Sequence, residues 1–138
     1  MVIPHAIYRC PYAALDKIDQ GKFPEDIAGE LLTLSPEFAT DGLAPAIRLV
    51  EKSIQTFFPL TSPLLRNHLY KRYNISAVDM ESHAVMKTAS GMDKKCCVIQ
   101  VITDHADEQA VEDFKRSVQD TMEIAAPFLL DFLRAFNR

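Results

Sequence analysis

The sequence predicts an α/β domain with a mostly parallel or mixed sheet, flanking helices and a long C-terminal helix. Three observations carry that expectation. Strand-like and helix-like segments alternate from residue 62 onward, the run Cys96 to Ile102 is apolar except for Gln100, and apolar residues recur at three- and four-residue steps from Val111 to Phe132. An alternating order of strands and helices favours parallel strands joined by helical crossovers. A valine- and isoleucine-rich run bounded by charges suits a strand covered on both faces. The recurring apolar stripe is that of an amphipathic helix.

Taken in chain order, Val2 to Tyr8 reads as a strand, with Pro4 tolerable at an edge or a strand start. Residues 10–46 are punctuated by prolines at 11, 24, 36 and 45 and glycines at 21, 29 and 42. Helical pieces fit between them: Glu25 to Leu32, and a start at Ser35-Pro36-Glu37, where an N-cap precedes proline at the first helical position. Asp41 to Ile54 carries Ile47, Val50 and Ile54 at helical spacing. Ser62-Pro63 opens a helix bearing Leu64, Leu65, His68 and Leu69. Ile75 to Val78 is a short strand, and Met80 to Ser90 a helix stopped by Gly91. After the strand at 96–102, a long helix starts near residue 108, with Pro127 placed to kink or interrupt it.

The length of 138 residues, 48% of them hydrophobic and 25% charged, fits one domain over residues 1–138. A net charge of −4 argues against a nucleic-acid partner or an anionic membrane surface. No apolar run reaches the roughly 18 residues of a membrane-spanning helix. Met1 to His5 lacks the basic start of a signal peptide, so the expected location is the cytoplasm. Cys10, Cys96 and Cys97 form no CxxC, and adjacent side chains on a strand point apart, so free thiols are expected. Asp104, His105 and Asp107 lack the i, i+4 spacing of a helical zinc motif, and no metal is expected. His83 reads as a surface or hydrogen-bonded histidine, and the stripe from Phe114 to Phe132 as core or a subunit contact.

In α/β sheets ligands bind beyond the C-terminal ends of the strands. Two acidic segments fall there: Asp79-Met80-Glu81 and Thr103-Asp104-His105-Ala106-Asp107. If their strands are neighbours, Glu81 and Asp104 converge on one crevice, where paired carboxylates suit acid catalysis and the binding of sugar hydroxyls. Acidic residues at strand ends also serve as helix caps, and the pattern alone leaves both roles open.

Ala77-Val78-Asp79-Met80-Glu81-Ser82-His83-Ala84-Val85, followed by Val98-Ile99-Gln100-Val101-Ile102-Thr103-Asp104-His105-Ala106-Asp107-Glu108, resembles the nucleoside phosphorylase and nucleosidase superfamily. The family pattern is a strand ending in V-[ED]-M-E-[GAS], a helix, then a strand ending in [ST]-D and continued as x-A-D-E. The resemblance is strongest over residues 56–138 and reaches Val2 to Tyr8. It implies cleavage of the N-glycosidic bond of a purine nucleoside. Glu81 would accept hydrogen bonds from the ribose hydroxyls, Met80 would pack on the sugar, and Asp104 would be the general acid toward purine N7. Phe57 or Phe58 would stack on the base, core packing being the other reading of this pair. Val50 to Gln55 would be a shortened version of a further family strand. No cofactor is implied, although phosphate would be co-substrate in a phosphorylase. The x-A-D-E continuation resembles the hydrolytic branch, of methylthioadenosine or futalosine nucleosidase type, and also hopanoid-associated phosphorylases. Family domains are longer and begin with strands that supply the phosphate-binding loop or the water-activating carboxylate. The resemblance therefore implies a truncated domain, a homo-oligomer in the cytoplasm. A non-catalytic nucleoside-binding or assembly module is the alternative.

Overall fold

The structure is a computed structural model that describes residues 2–9, 31–33 and 48–136. Its strands are β1 (Val2–Arg9), β2 (Leu31–Thr33), β3 (Arg48–Gln55) and β4 (Ile75–Asp79). Its helices are α1 (Pro63–Tyr73), α2 (Ser82–Gly91) and α3 (Ala110–Phe136). The strands form a mixed sheet, as the sequence predicts, and their order is β2-β1-β3-β4. Parallel pairing joins β1 to β3 from Val2↔Arg48 to Arg9↔Gln55, and β3 to β4 from Lys52↔Ile75 to Gln55↔Asp79. Only β2 runs antiparallel, against Ala6, Ile7 and Tyr8. Pro4 lies beyond the reach of β2, so its missing N–H breaks no bond on that side of β1.

Arg48–Gln55 is a strand, which corrects the helix expected over Asp41 to Ile54. Ser53, Ile54 and Gln55 are all buried, because β3 lies between β1 and β4 and is covered on both faces. Such a strand loses the polar–apolar alternation that marks its period, and an Ile47/Val50/Ile54 spacing then fits a helix as well. Leu31 and Leu32 likewise pair in β2 rather than ending a helix. The rest of that expected helix, the Ser35-Pro36-Glu37 start, residues 41–47 and Cys10 lie outside the described residues.

α1 forms where its caps predict. Ser62 Oγ accepts from the Leu65 N–H at 3.3 Å, Pro63 occupies the first turn, and Asn74 ends the helix at φ 56°. Its buried face, Leu65 and Leu69, packs with Ile54, Leu60 and Ile75 into the main core. Ile54 faces this cluster, so its neighbours Ser53 and Gln55 face the other side of the sheet, where α2 lies against β1, β2 and β3. Met86 and His83 are the buried residues of that helix, together with Ser82.

Two C-terminal expectations change. Cys96 to Ile102 is not a regular strand: only Gln100 makes a bridge, residues 96–99 are half-buried and Ile102 is 48% exposed. Apolar composition favours burial but supplies no hydrogen bonds; a strand needs a partner edge in register, and this run engages one at a single residue. The long helix forms, and it runs through Pro127 without interruption. The proline removes one N–H donor at an exposed position, where water can reach the freed carbonyl. Of α3, Ala110 and Ala125 are buried among the described residues, while Phe114 and Met122 are half-exposed. Of the stripe expected as core or subunit contact, Ala125 is buried, Val118, Leu129 and Phe132 are half-buried, and Phe114 and Met122 lie open in this chain. No helix of the described residues is long and apolar enough to cross a membrane.

Candidate active site

A cavity of about 810 Å³ opens where β4, residues 99–106 and α3 meet, and Met80, Glu81 and Asp104 all line it. This is the size of a small-molecule site. Both acidic segments thus border one cavity, although only one of them follows a regular strand.

The turn between β4 and α2 shows how the carboxylates divide their roles. Glu81 occupies the N-cap position of α2 but makes no capping hydrogen bond, and it is exposed. The helix amides are served from elsewhere: Ser82 N–H donates to Asp79 Oδ1 at 3.2 Å, and Ala84 N–H to Gln55 Oε1 at 2.8 Å. Asp79 and Gln55 therefore do the capping, and the Glu81 carboxylate stands at the positive end of the helix without a capping bond of its own. Met80, 41% exposed, presents its thioether to the same cavity.

Asp104 sits in a tight turn of its own making. Thr103 Oγ1 donates to Oδ2 at 2.9 Å, and the Ala106 N–H to Oδ1 at 2.8 Å, with Ala106 in the left-handed region at φ 51°. Each oxygen keeps a further lone pair, so the group is oriented while still able to carry or share a proton. The loop is tethered on both sides. Arg66 of α1 donates to the His105 carbonyl at 2.7 Å, and Ser117 of α3 to the Thr103 carbonyl at 2.9 Å. Asp107 starts α3, accepting from Gln109 N–H at 3.0 Å through its side chain and from Ala110 N–H at 3.0 Å through its backbone.

Phe57 and Phe58 do not line the cavity. Phe57 is half-buried with the Arg9 guanidinium 5.9 Å from its ring centre, and Phe58 is 62% exposed. Neighbouring Thr56 does line it, and it ties the ends of β3 and β4 together through its N–H to the Asp79 carbonyl at 2.8 Å. His83, 1% exposed, is a buried histidine. Among the described residues no three His, Cys, Asp or Glu groups are placed to hold a metal ion. Cys96 and Cys97 are free, and burial, with Cys96 beside it, pushes the Cys97 thiol above its ordinary value.

Sequence reasoning treats Gln100 only as the interruption of an apolar run, and it overlooks Gln55. Gln100 Nε2 donates to Asp79 Oδ2 at 2.7 Å and lies 3.4 Å from Ser82 Oγ. A lone amide inside an apolar run is the signal that points to it, since a buried polar group needs a partner.

The fold is that of an α/β protein with a cavity at the C-terminal ends of β3 and β4. The profile of the phosphorylase superfamily matches residues 53–137, and the chain belongs to that family. No curated protein matches it by sequence. Among solved structures it is similar to a 5′-methylthioadenosine/S-adenosylhomocysteine nucleosidase from Helicobacter pylori with butyl-thio-DADMe-Immucillin-A, at 20% identity and TM-score 0.74. The corresponding nucleosidase of Streptococcus pneumoniae, with 8-aminoadenine, gives 16% and 0.75, and a futalosine hydrolase mutant of H. pylori 20% and 0.71. Each match covers 97% of this chain and 60% of the other, so the chain spans about 60% of the length of these structures.

Proposed function

We propose that the site cleaves the N-glycosidic bond of a purine nucleoside. The observation that carries this reading is the convergence of an uncommitted Glu81, Met80 and an oriented Asp104 on one cavity. Membership of the phosphorylase superfamily and likeness in fold to nucleosidases support it.

In this reading Glu81 accepts hydrogen bonds from the ribose hydroxyls and Met80 packs on the sugar. As the C1′–N9 bond breaks, its electron pair moves into the base and the ribose gains oxocarbenium character. Asp104 delivers a proton to purine N7, and the Glu81 carboxylate steadies the cationic sugar. Water or phosphate completes the reaction at C1′, giving free ribose or ribose 1-phosphate. The test is release of free base from purine nucleosides, with and without phosphate. Asp104→Asn is expected to lower that rate by about 100- to 10,000-fold, the usual share of a general acid. A variant as active as the parent overturns the assignment.

A second reading is a nucleoside-binding or assembly module without turnover, since binding of the sugar asks only for the cavity with Met80 and Glu81. Calorimetry with adenosine separates the two, since binding without base release selects the module.

A further inference from the structure

The Met80-Glu81 turn is held at both ends by side chains distant in sequence. Asp79, on its near side, accepts from Gln100 Nε2 at 2.7 Å with one carboxylate oxygen and from Ser82 N–H at 3.2 Å with the other. Its carbonyl accepts the Thr56 N–H at 2.8 Å. On the far side, Gln55 holds the Ala84 N–H. The orientation of the Gln100 amide follows from chemistry: its NH2 must face the carboxylate, because its oxygen there would set acceptor against acceptor. That orientation leaves Gln100 Oε1 buried without a partner among the described residues. Gln100 is itself 8% exposed and is the single bridge residue of its segment. An apolar side chain would suit the surrounding run better for packing, so the amide is explained by what it does to Asp79.

We propose that Gln100 is a positioning residue for recognition of the sugar. By anchoring Asp79 it holds the Met80-Glu81 turn in the geometry that presents the Glu81 carboxylate to a ligand diol, an instance of binding gained through preorganisation. This rests on the reading that Glu81 binds the ribose hydroxyls. Gln100 itself borders the cavity, and its proposed action on the sugar runs through Asp79 rather than through a contact of its own.

Calorimetry on the full chain with adenosine and with 2′,3′-dideoxyadenosine tests it. The parent is expected to prefer adenosine. Gln100→Leu, close in volume but without a donor, is expected to lose about tenfold in adenosine affinity and nothing for the dideoxynucleoside, the size of one charge-assisted hydrogen bond. Amide exchange by NMR gives a readout that needs no ligand: Ser82 N–H should exchange about tenfold faster in Gln100→Leu, with Leu65 and Leu69 in α1 unchanged. If the leucine variant does not fold, Gln100→Glu supplies the same readouts. It sets a carboxylate against Asp79 at neutral pH, and sharing one proton at acid pH restores the bond and the adenosine preference. A Gln100 variant that discriminates the two nucleosides like the parent, or leaves Ser82 exchange unchanged, overturns the inference. A parent that does not distinguish the two nucleosides overturns the Glu81 reading instead, and Ser82 exchange then decides the role of Gln100 in holding the turn.

Discussion

The β4–α2 turn and helix α3 border the same cavity, yet they are attached to the fold by different means. The turn is held by hydrogen bonds from Gln55, Thr56 and Gln100, all buried. α3 faces it with Val111, Phe114, Val118 and Met122, is tethered at Ser117, and buries only Ala110 and Ala125 among its described residues. Directional bonds set the placement of a carboxylate to fractions of an ångström, whereas apolar contact is non-directional and tolerant. Geometry is therefore specified on the polar wall, while the opposite wall supplies surface.

Substitutions on the two walls test that contrast. The largest effect on folding is expected at Leu69, 2% exposed in the core cluster of α1. Leu69→Ala should cost about 2–5 kcal/mol in chemical denaturation. On the polar wall, Asp79→Ala strands the Ser82 amide and the Gln100 amide together and should cost about 2–3 kcal/mol. On the apolar wall, Phe114→Ser, at a residue 48% exposed, should stay within about 0.5 kcal/mol of the parent. A Phe114 effect as large as that of Asp79 would erase the distinction between the walls.

The smallest effect concerns the segment that leads to Gln100. Cys97 is held above its ordinary thiol value by burial and by Cys96. Its alkylation should therefore rise with pH later than that of an unstructured thiol, as followed by mass spectrometry. The sign for stability is the same. The fold favours the neutral thiol, so the contribution is complete below the unfolded thiol's value and fades as pH climbs through the folded one. Alkylation matching a free thiol would place the segment in open solvent.

Much of this architecture was legible where local signals and burial agree. Ser62, Pro63 and Asn74 mark α1 because caps act within a few residues, and the stripe of α3 is unambiguous over seven turns. β3 was not legible in its periodicity, because a strand covered on both faces carries no alternation, and only the family resemblance of Val50 to Gln55 pointed to it. The single-bridge state of residues 96–102 was not legible either, since pairing depends on a partner edge that composition does not encode. Of the site, Met80, Glu81 and Asp104 came from a motif and meet at one cavity. Phe57 and Phe58 stand outside it, because neighbours in sequence need not point at the same space. Gln55 and Gln100 were missed as supports because their partners lie 29 and 21 residues away.

The sheet register also sets an order of assembly. The pairing of β1 with β3 joins positions 2 and 48, and that of β3 with β4 joins positions 52 and 75, so the first closes a loop twice as long as the second. One doubling of loop length costs about 0.6 kcal/mol of chain entropy, and α1 bridges the shorter loop with local structure of its own. The β3–α1–β4 unit is therefore predicted to nucleate the sheet and β1 to dock onto it later. Pulse-labelled exchange would then protect the Ala77 amide before that of Ile7, and the reverse order would refute this. The end of β4, one border of the cavity, would then be in place before β1 docks.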